Sequence, residues 1–331
     1  MRRKKKLKRV IISVVILGVL VFGGAISYTF YQLSKIKTVK ISASNEDLGI
    51  SSTTSSKADS TSGITNIALF GVDRRNKDEP GRSDSIMILS IDTKNKKIKM
   101  SSIMRDTYVK IKGHGQTKIT HAYAYGGPQL AIRTINENFN LDIRNYVTVD
   151  FFDLEKLINA IGGVSVDVHK DEISLMNSYM SETAGIEKKS ITQVTNSGNQ
   201  TLNGLQAVAY SRIRYTAGGD FKRTERQRTV LSAMLTKIQS LGASEFPSVV
   251  TKLLPLTETS ISSIDILKLG SKVIASKSTK LVQERFPVDG YCWGKTIDGV
   301  WYLVADMKTT IDQIHKFIYE DVLPVPTTPQ I

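Results

Sequence analysis

The chain has 331 residues, 40% of them apolar and 7% aromatic, which is enough for a large hydrophobic core and excludes a disordered polymer. Its single cysteine, Cys292, excludes an intramolecular disulfide framework. Half of the formal charge of +14 comes from seven Lys and Arg residues within positions 2–9, so the excess is not in itself a nucleic-acid signature.

Residues 10–30 carry no charged side chain, and a helix of that length, rising about 1.5 Å per residue, crosses a hydrocarbon core of roughly 30 Å. The run predicts a transmembrane signal anchor over 10–31, with the basic tail of residues 1–9 cytoplasmic and the rest of the chain outside. Ala25-Ile26-Ser27 has the small-x-small pattern of a cleavage site. The apolar run outlasts the signal-peptide core of about 7–15 residues, so the segment is read as retained. Residues 32–63, with Ser and Thr dominating 51–62, read as a flexible extracellular linker.

From 64 to 325 the pattern predicts one α/β domain, a central mixed β-sheet flanked by helices. Strands are expected at 67–72, 85–91, 98–103, 146–150 and 164–168. One helix is expected over 128–139, opened by Pro128. Another sits behind an Asp153 cap, with Leu154, Leu157, Ile158 and Ile161 on one face and Gly162-Gly163 ending it. Met307, Ile311, Ile314 and Ile318 form a late helical stripe behind Asp306, and residues 326–331 read as an irregular tail.

The densest chemistry lies at 210–227, YSRIRYTAGGDFKRTERQ. Arg212 and Arg214 are two apart, so an extended backbone places both on one face. Arg223, Arg226 and Gln227 stand at helical spacing and open a run whose apolar stripe includes Val230, Leu231 and Met234. Guanidinium forks bind phosphate oxygens bidentately and a helix start adds its positive dipole end. The ligand so described is a phosphorylated head on an apolar tail. The plainer reading is a set of surface ion pairs, contributing about 0–1 kcal/mol each, in front of ordinary core. Asp220, at the centre, is open to three roles: capping the helix near Arg223, orienting an arginine, or acting as a base.

Four blocks resemble the signatures of the LytR-CpsA-Psr family: residues 69–74 (LFGVDR), 81–87 (GRSDSIM), 102–107 (SIMRDT) and the arginine stretch. Residues 118–127 (KITHAYAYGG) add to the likeness, and the blocks fall in the family's order across the exported part. Met104, Ser85 and Thr120 stand where the family usually has Pro, Thr and Asn. The resemblance implies an enzyme of the cell envelope, a phosphotransferase. It moves a polyprenyl-diphosphate-linked anionic glycopolymer, such as teichoic acid or capsule, onto peptidoglycan through a phosphodiester, and polyprenyl phosphate leaves. The acceptor it implies is the C6 hydroxyl of N-acetylmuramic acid. It also implies Mg²⁺ (or Mn²⁺) held by Asp73 and Asp84, and phosphate contacts from Arg82, Arg105, Lys118, Arg212, Arg214, Arg223 and Gln227. Arg105 and Asp220 are the implied catalytic positions, and Val230, Leu231 and Met234 the implied lipid contacts. Spacing alone would make either metal aspartate a loop cap after a strand.

Single-pass attachment to the cell membrane of a Gram-positive bacterium follows from the anchor, the likeness and the lack of disulfides. A polyprenyl-diphosphate phosphatase and a non-catalytic, membrane-tethered wall regulator are the alternatives. No GxSxG, HExxH or zinc spacing is present, and residues 290–296 are one residue short of a phosphate loop. Nucleic acid is not an expected partner, because the domain lies outside the cytoplasm.

Overall fold

Alternation of apolar residues along the early strands puts two different faces on one sheet, and each face has its own cover. The structure is a computed structural model that describes residues 38–52, 54, 63–74, 81–275 and 281–328. β1 (Ile64–Asp73), β2 (Arg82–Asp92), β3 (Lys97–Ile103), β6 (Asn145–Asp150), β9 (Glu258–Thr259) and β10 (Leu281–Phe286) form one sheet in the order β10-β3-β2-β1-β6-β9. It is mixed: β1 runs antiparallel to β2 and parallel to β6, and β3 runs parallel to β10.

On one face Ala68, Phe70, Val72, Ile86, Ile88 and Tyr146 pack against α1 (His121–Phe139) and, late in the chain, α7 (Met307–Glu320). On the other, Ile67, Leu69, Met87, Leu89 and Val147 look toward a 35-residue helix, α5 (Gly219–Leu253), and its neighbour α6 (Ser263–Ala275). A second core joins α2 (Phe151–Ala160), α3 (Ile173–Glu187), α4 (Gly204–Arg212) and α5 around Ile158, Met176, Met180 and Val230. Beside it β7 (Val164–Val168) pairs with β8 (Gly198–Leu202) as a separate ribbon, outside the central sheet. Two further hairpins, β4–β5 (Tyr108–Ile111, Gly115–Lys118) and β11–β12 (Cys292–Ile297, Val300–Ala305), stand at the sheet's edge regions.

Several sequence expectations shift here. α1 starts at His121, seven residues before Pro128, but Gly126 and Gly127 are non-helical, so Pro128 opens the straight part. The cap of α2 is Asp150, which accepts from the Asp153 amide at 2.8 Å. Asp153 therefore lies in the first turn and is not the cap. Asp306 caps α7 through the Thr309 amide at 3.1 Å. Residues 39–50, placed by composition in the linker, are docked on the domain: Leu48 is fully buried and Ile50 nearly so. The anchor expected over 10–31 lies outside the described residues, among which no helix is long and apolar enough to cross a membrane.

Candidate active site

At the carboxyl end of β1 the pairing with β2 slips. Gly71 faces Ser85 and Val72 faces Ser83, so Asp84 is the extra residue of a β-bulge. The slip reverses the side-chain parity: Ser85 lies on the α5 face, whereas Ser83 bonds to Thr120 beneath α1. A bulge re-aims the unpaired side chain, and here it turns Asp84 toward Arg105. Gly71 is required there, since a Cβ on it would meet the Ser85 Cβ at 2.9 Å.

Arg105 sits in the turn after β3. Thr107 closes the turn on the Met104 carbonyl, and the Met104 amide donates to the Phe286 carbonyl at 2.9 Å. Proline, the family's usual residue at position 104, has no such donor. Arg105 donates to Asp84 at 2.7 Å and lies 3.6 Å from Asp106 and 3.7 Å from Asp220. Burial works against its charge, but Asp84, Asp220 and Asp106 outweigh it and hold the guanidinium above its ordinary value. Asp106 in turn takes Lys118 at 2.8 Å.

α5 brings the second half of the site. Its N-cap is Gly218 with no side-chain cap bond, so Asp220 does not cap the helix. Asp220 instead takes Arg223 at 2.9 Å and lies 3.7 Å from both Arg214 and Arg105. The aspartate is an organiser of three arginines. Arg223 is nine-tenths buried; burial lowers its affinity for the proton, with Asp220 opposing that effect. The Nε atoms of Arg105 and Arg223 are buried and donate no hydrogen bond among the described residues. Buried donors without a hydrogen bond are uncommon; the Arg105 Nε faces the Asp106 and Asp220 carboxylates only at 3.6 and 3.7 Å, and an anion between the two forks would supply a closer acceptor.

Arg212 and Arg214 are not on one strand face. Arg212 ends α4 and Ile213 turns the chain extended, so the two diverge. Arg212 donates to Thr183 at 2.8 Å and lies over the Phe151 and Tyr179 rings, at the margin of the site. Arg226 was legible only as part of a basic helix start. It is buried against Glu172 at 2.6 Å and bonds to the Ile213 carbonyl and Thr216, so it fastens the Arg212–Arg214 loop to α5. Arg82 is exposed opposite Asp73 in the strand register. Together with Lys118, Arg82 acts on His121, whose pKa is lowered by burial first and by these two cations next.

Beneath the charged cluster lies an apolar cavity of about 260 Å³, lined by Leu69, Met87, Val149, Val230, Leu231 and Met234, with Gln227 and Asp150 among its few polar groups. It shares Leu69, Val147, Leu253 and Thr257 with a second apolar cavity of about 280 Å³ that runs on between the sheet and α5–α6. The two lie end to end between the sheet and the helices, from Ser85, Ser211 and Gln227 to the far end of the strands at Ile91 and Ile98.

Asp73 and Asp84 lie one diagonal step apart on neighbouring strands. No group of three or more His, Cys, Asp or Glu capable of holding a metal forms among the described residues. A pair of carboxylates beside a phosphate site fits Mg²⁺, which commonly takes one or two carboxylates and completes its shell with phosphate and water.

A family model described as the LytR_cpsA_psr family matches residues 28–317. Over 314 residues the chain is 31% identical to a Bacillus cereus protein named polyisoprenyl-teichoic acid–peptidoglycan teichoic acid transferase TagU, with 91% of this chain and 93% of that one covered. Its fold is similar to a solved structure of TagT bound to LI-WTA, at a TM-score of 0.62 and 29% identity, covering 78% of this chain and 91% of that one. It is also similar to TagT with bound octaprenyl pyrophosphate lipid, at a TM-score of 0.58 and 27% identity, covering 79% and 91%.

Proposed function

The chain belongs to the LytR-CpsA-Psr family, and from that premise we propose that it transfers a polyprenyl-diphosphate-linked anionic glycopolymer onto peptidoglycan. One observation carries the reading: two buried arginines whose Nε donors make no hydrogen bond among the described residues lie next to an apolar cavity, whose lining includes Gln227, one turn beyond Arg223. A relative's structure holding octaprenyl pyrophosphate supports the same pairing of head and tail.

The prenyl chain lies in the cavity along Leu69, Val230, Leu231 and Met234, and the diphosphate between Arg105 and Arg223. An acceptor hydroxyl attacks the sugar-proximal phosphorus, the bond to the bridging oxygen breaks, and that oxygen leaves with polyprenyl phosphate. Arg105 and Arg223 face the charge that spreads over the phosphoryl oxygens, where fixed donors need no reorganisation. Asp220 keeps Arg223 and Arg214 aimed at that position, Lys118 neutralises Asp106, and Gln227 offers an amide in the cavity lining. Mg²⁺ bound at Asp73 and Asp84 would supply further charge neutralisation on the diphosphate.

The domain works outside a single-pass anchor at residues 10–31, with the N-terminus cytoplasmic; the uncharged run and its basic flank support this topology. A reporter fused to the C-terminus should be active only outside the cytoplasm.

To test the activity, full-length protein would be incubated with lipid-linked polymer, Mg²⁺ and peptidoglycan. Wall-linked polymer and polyprenyl phosphate are expected. Release of free phosphorylated glycan in the presence of acceptor would instead make the protein a phosphatase.

A further inference from the structure

The β11–β12 hairpin carries both tryptophans of the chain, Trp293 and Trp301, each about half exposed at 50% and 48%. The register sets them on opposite faces of the ribbon, Trp301 on the face of Gly294 and Thr296. The Trp301 ring lies along its own hairpin, over Gly294, the diagonal neighbour two residues from its partner Thr296: a Cβ on Gly294 would sit 2.7 Å from the indole Nε1. The strand thus backs the ring, which remains about half exposed. Lys118 stands 5.9 Å from the Trp301 ring centre and 6.0 Å from that of Tyr302.

This surface is wired to the reaction centre. Leu303 of the hairpin donates its amide to the Asp106 carbonyl at 2.9 Å, and Thr107 bridges to Leu303. Lys118 pairs with Asp106, which lies against Arg105. Tyr302 packs on Tyr108 of the β4–β5 hairpin at 4.7 Å between ring centres, and Val109, Ile111 and Ile119 place that hairpin in the α1-side core. The apolar cavities lie on the opposite, α5 side of the sheet.

Phosphoryl transfer sets the attacking and leaving oxygens roughly in line. If the prenyl phosphate leaves toward α5, the nucleophile approaches from the side on which the hairpin stands. We propose that the β11–β12 hairpin is the acceptor subsite. The exposed part of the Trp301 ring stacks on a hexosamine ring of the glycan strand, while Lys118 and Tyr302 contact its hydroxyl and acetamido groups. A ring pressed against its own backbone, next to a cation tied to the site, suits a flat sugar face better than a bilayer, into which interfacial tryptophans project. The inference rests on the transfer reading for the acceptor's identity, but glycan binding can be measured without turnover.

Because no other tryptophan exists, intrinsic tryptophan fluorescence reports on this hairpin alone. Full-length protein in nanodiscs of zwitterionic lipid would be titrated with soluble, uncross-linked peptidoglycan glycan strands. A saturable change is expected, retained in Trp293→Phe and lost in Trp301→Ala, whose glycan affinity should fall at least tenfold. Trp301→Tyr should recover most of it, and binding of octaprenyl diphosphate should stay within twofold in all three. With turnover, Trp301→Ala should raise the acceptor KM and leave the donor KM unchanged. An emission that ignores the glycan overturns the proposal, and so does one that shifts instead when the nanodisc lipid is made anionic. Glycan binding that persists while no transfer is found would leave the subsite standing and remove the transferase reading.

Discussion

Arg105 and Asp220 are each the meeting point of several charges, and they do different work. Arg105 touches three carboxylates, yet its buried Nε lies 3.6 Å from Asp106 and 3.7 Å from Asp220 and makes no hydrogen bond among the described residues. Arg105→Lys retains the charge but loses the planar fork. Product formation at saturating donor is expected to fall about 10²- to 10³-fold, the usual cost of one oriented donor to a developing charge. Asp220→Asn should act indirectly, by loosening Arg223 and Arg214. It should weaken octaprenyl diphosphate binding measurably while the pH profile of turnover keeps its shape; a lost acidic limb would instead make Asp220 the base.

His121 gives a pH signature, with Arg82, Lys118 and Asp106 as the charges around it. Its folded pKa is depressed, chiefly by burial, so below the ordinary value of about 6.5 the unfolded chain takes up the proton first. Stability is therefore full above that pH and falls as acid carries the imidazole through its lowered pKa. Unfolding midpoints measured across pH 7 to 5 should drop less in His121→Gln than in the parent.

At the scale of elements, the signature blocks were readable as motifs because each is local: a strand end, a turn, a helix start. What they do together was not. Asp84 reaches Arg105 only because the β1–β2 register slips by one residue, and nothing in the spacing of residues 81–87 announces a bulge. Arg212 and Arg214 were misread as a strand pair because α4 continues to Arg212, a packing outcome set by the second core. The five expected strands all formed, but β7 left the central sheet, since a strand's apolar pattern does not name its partner. The cavity was legible only as a stripe on α5; its emptiness belongs to the sheet and helix together. Gly71→Ala should show how tightly the bulge is held. The added methyl meets Ser85, an overpacking that costs roughly 1–3 kcal/mol, and it should lower turnover by displacing Asp84. Leu231→Trp should fill the cavity instead: donor affinity should drop at least tenfold with thermal stability kept, as measured by octaprenyl diphosphate binding and calorimetry.

For the whole molecule, the least expected feature is the strap of residues 39–50. Composition places it in the linker, yet it is fixed at both ends and along its length. The Val39 amide donates to the Thr259 carbonyl on the sheet edge at 3.0 Å. Asn136 of α1 donates to the Leu48 carbonyl at 2.8 Å, and Arg133 to the Glu46 carbonyl at 2.7 Å. Leu48 and Ile50 enter the core between sheet and α1. The sequence hides this because the apolar residues of the strap, Val39, Ile41, Ala43, Leu48 and Ile50, are split by the polar run Ser44-Asn45-Glu46-Asp47 and give no sustained period to read. The consequence reaches the membrane. The expected anchor ends at residue 31 and residue 39 is already docked, so the seven residues between them span at most about 30 Å even fully extended. Under the proposed anchor at residues 10–31, the domain would be held close to the lipid surface, where a substrate with a prenyl tail resides, instead of ranging on a long tether. Leu48→Ala should cost about 2–5 kcal/mol, as large-to-small core changes do, and lower the unfolding midpoint accordingly. A chain beginning at residue 63 should be still less stable than one beginning at 38, although both retain every signature block. Equal midpoints for the two truncations would return the strap to the linker.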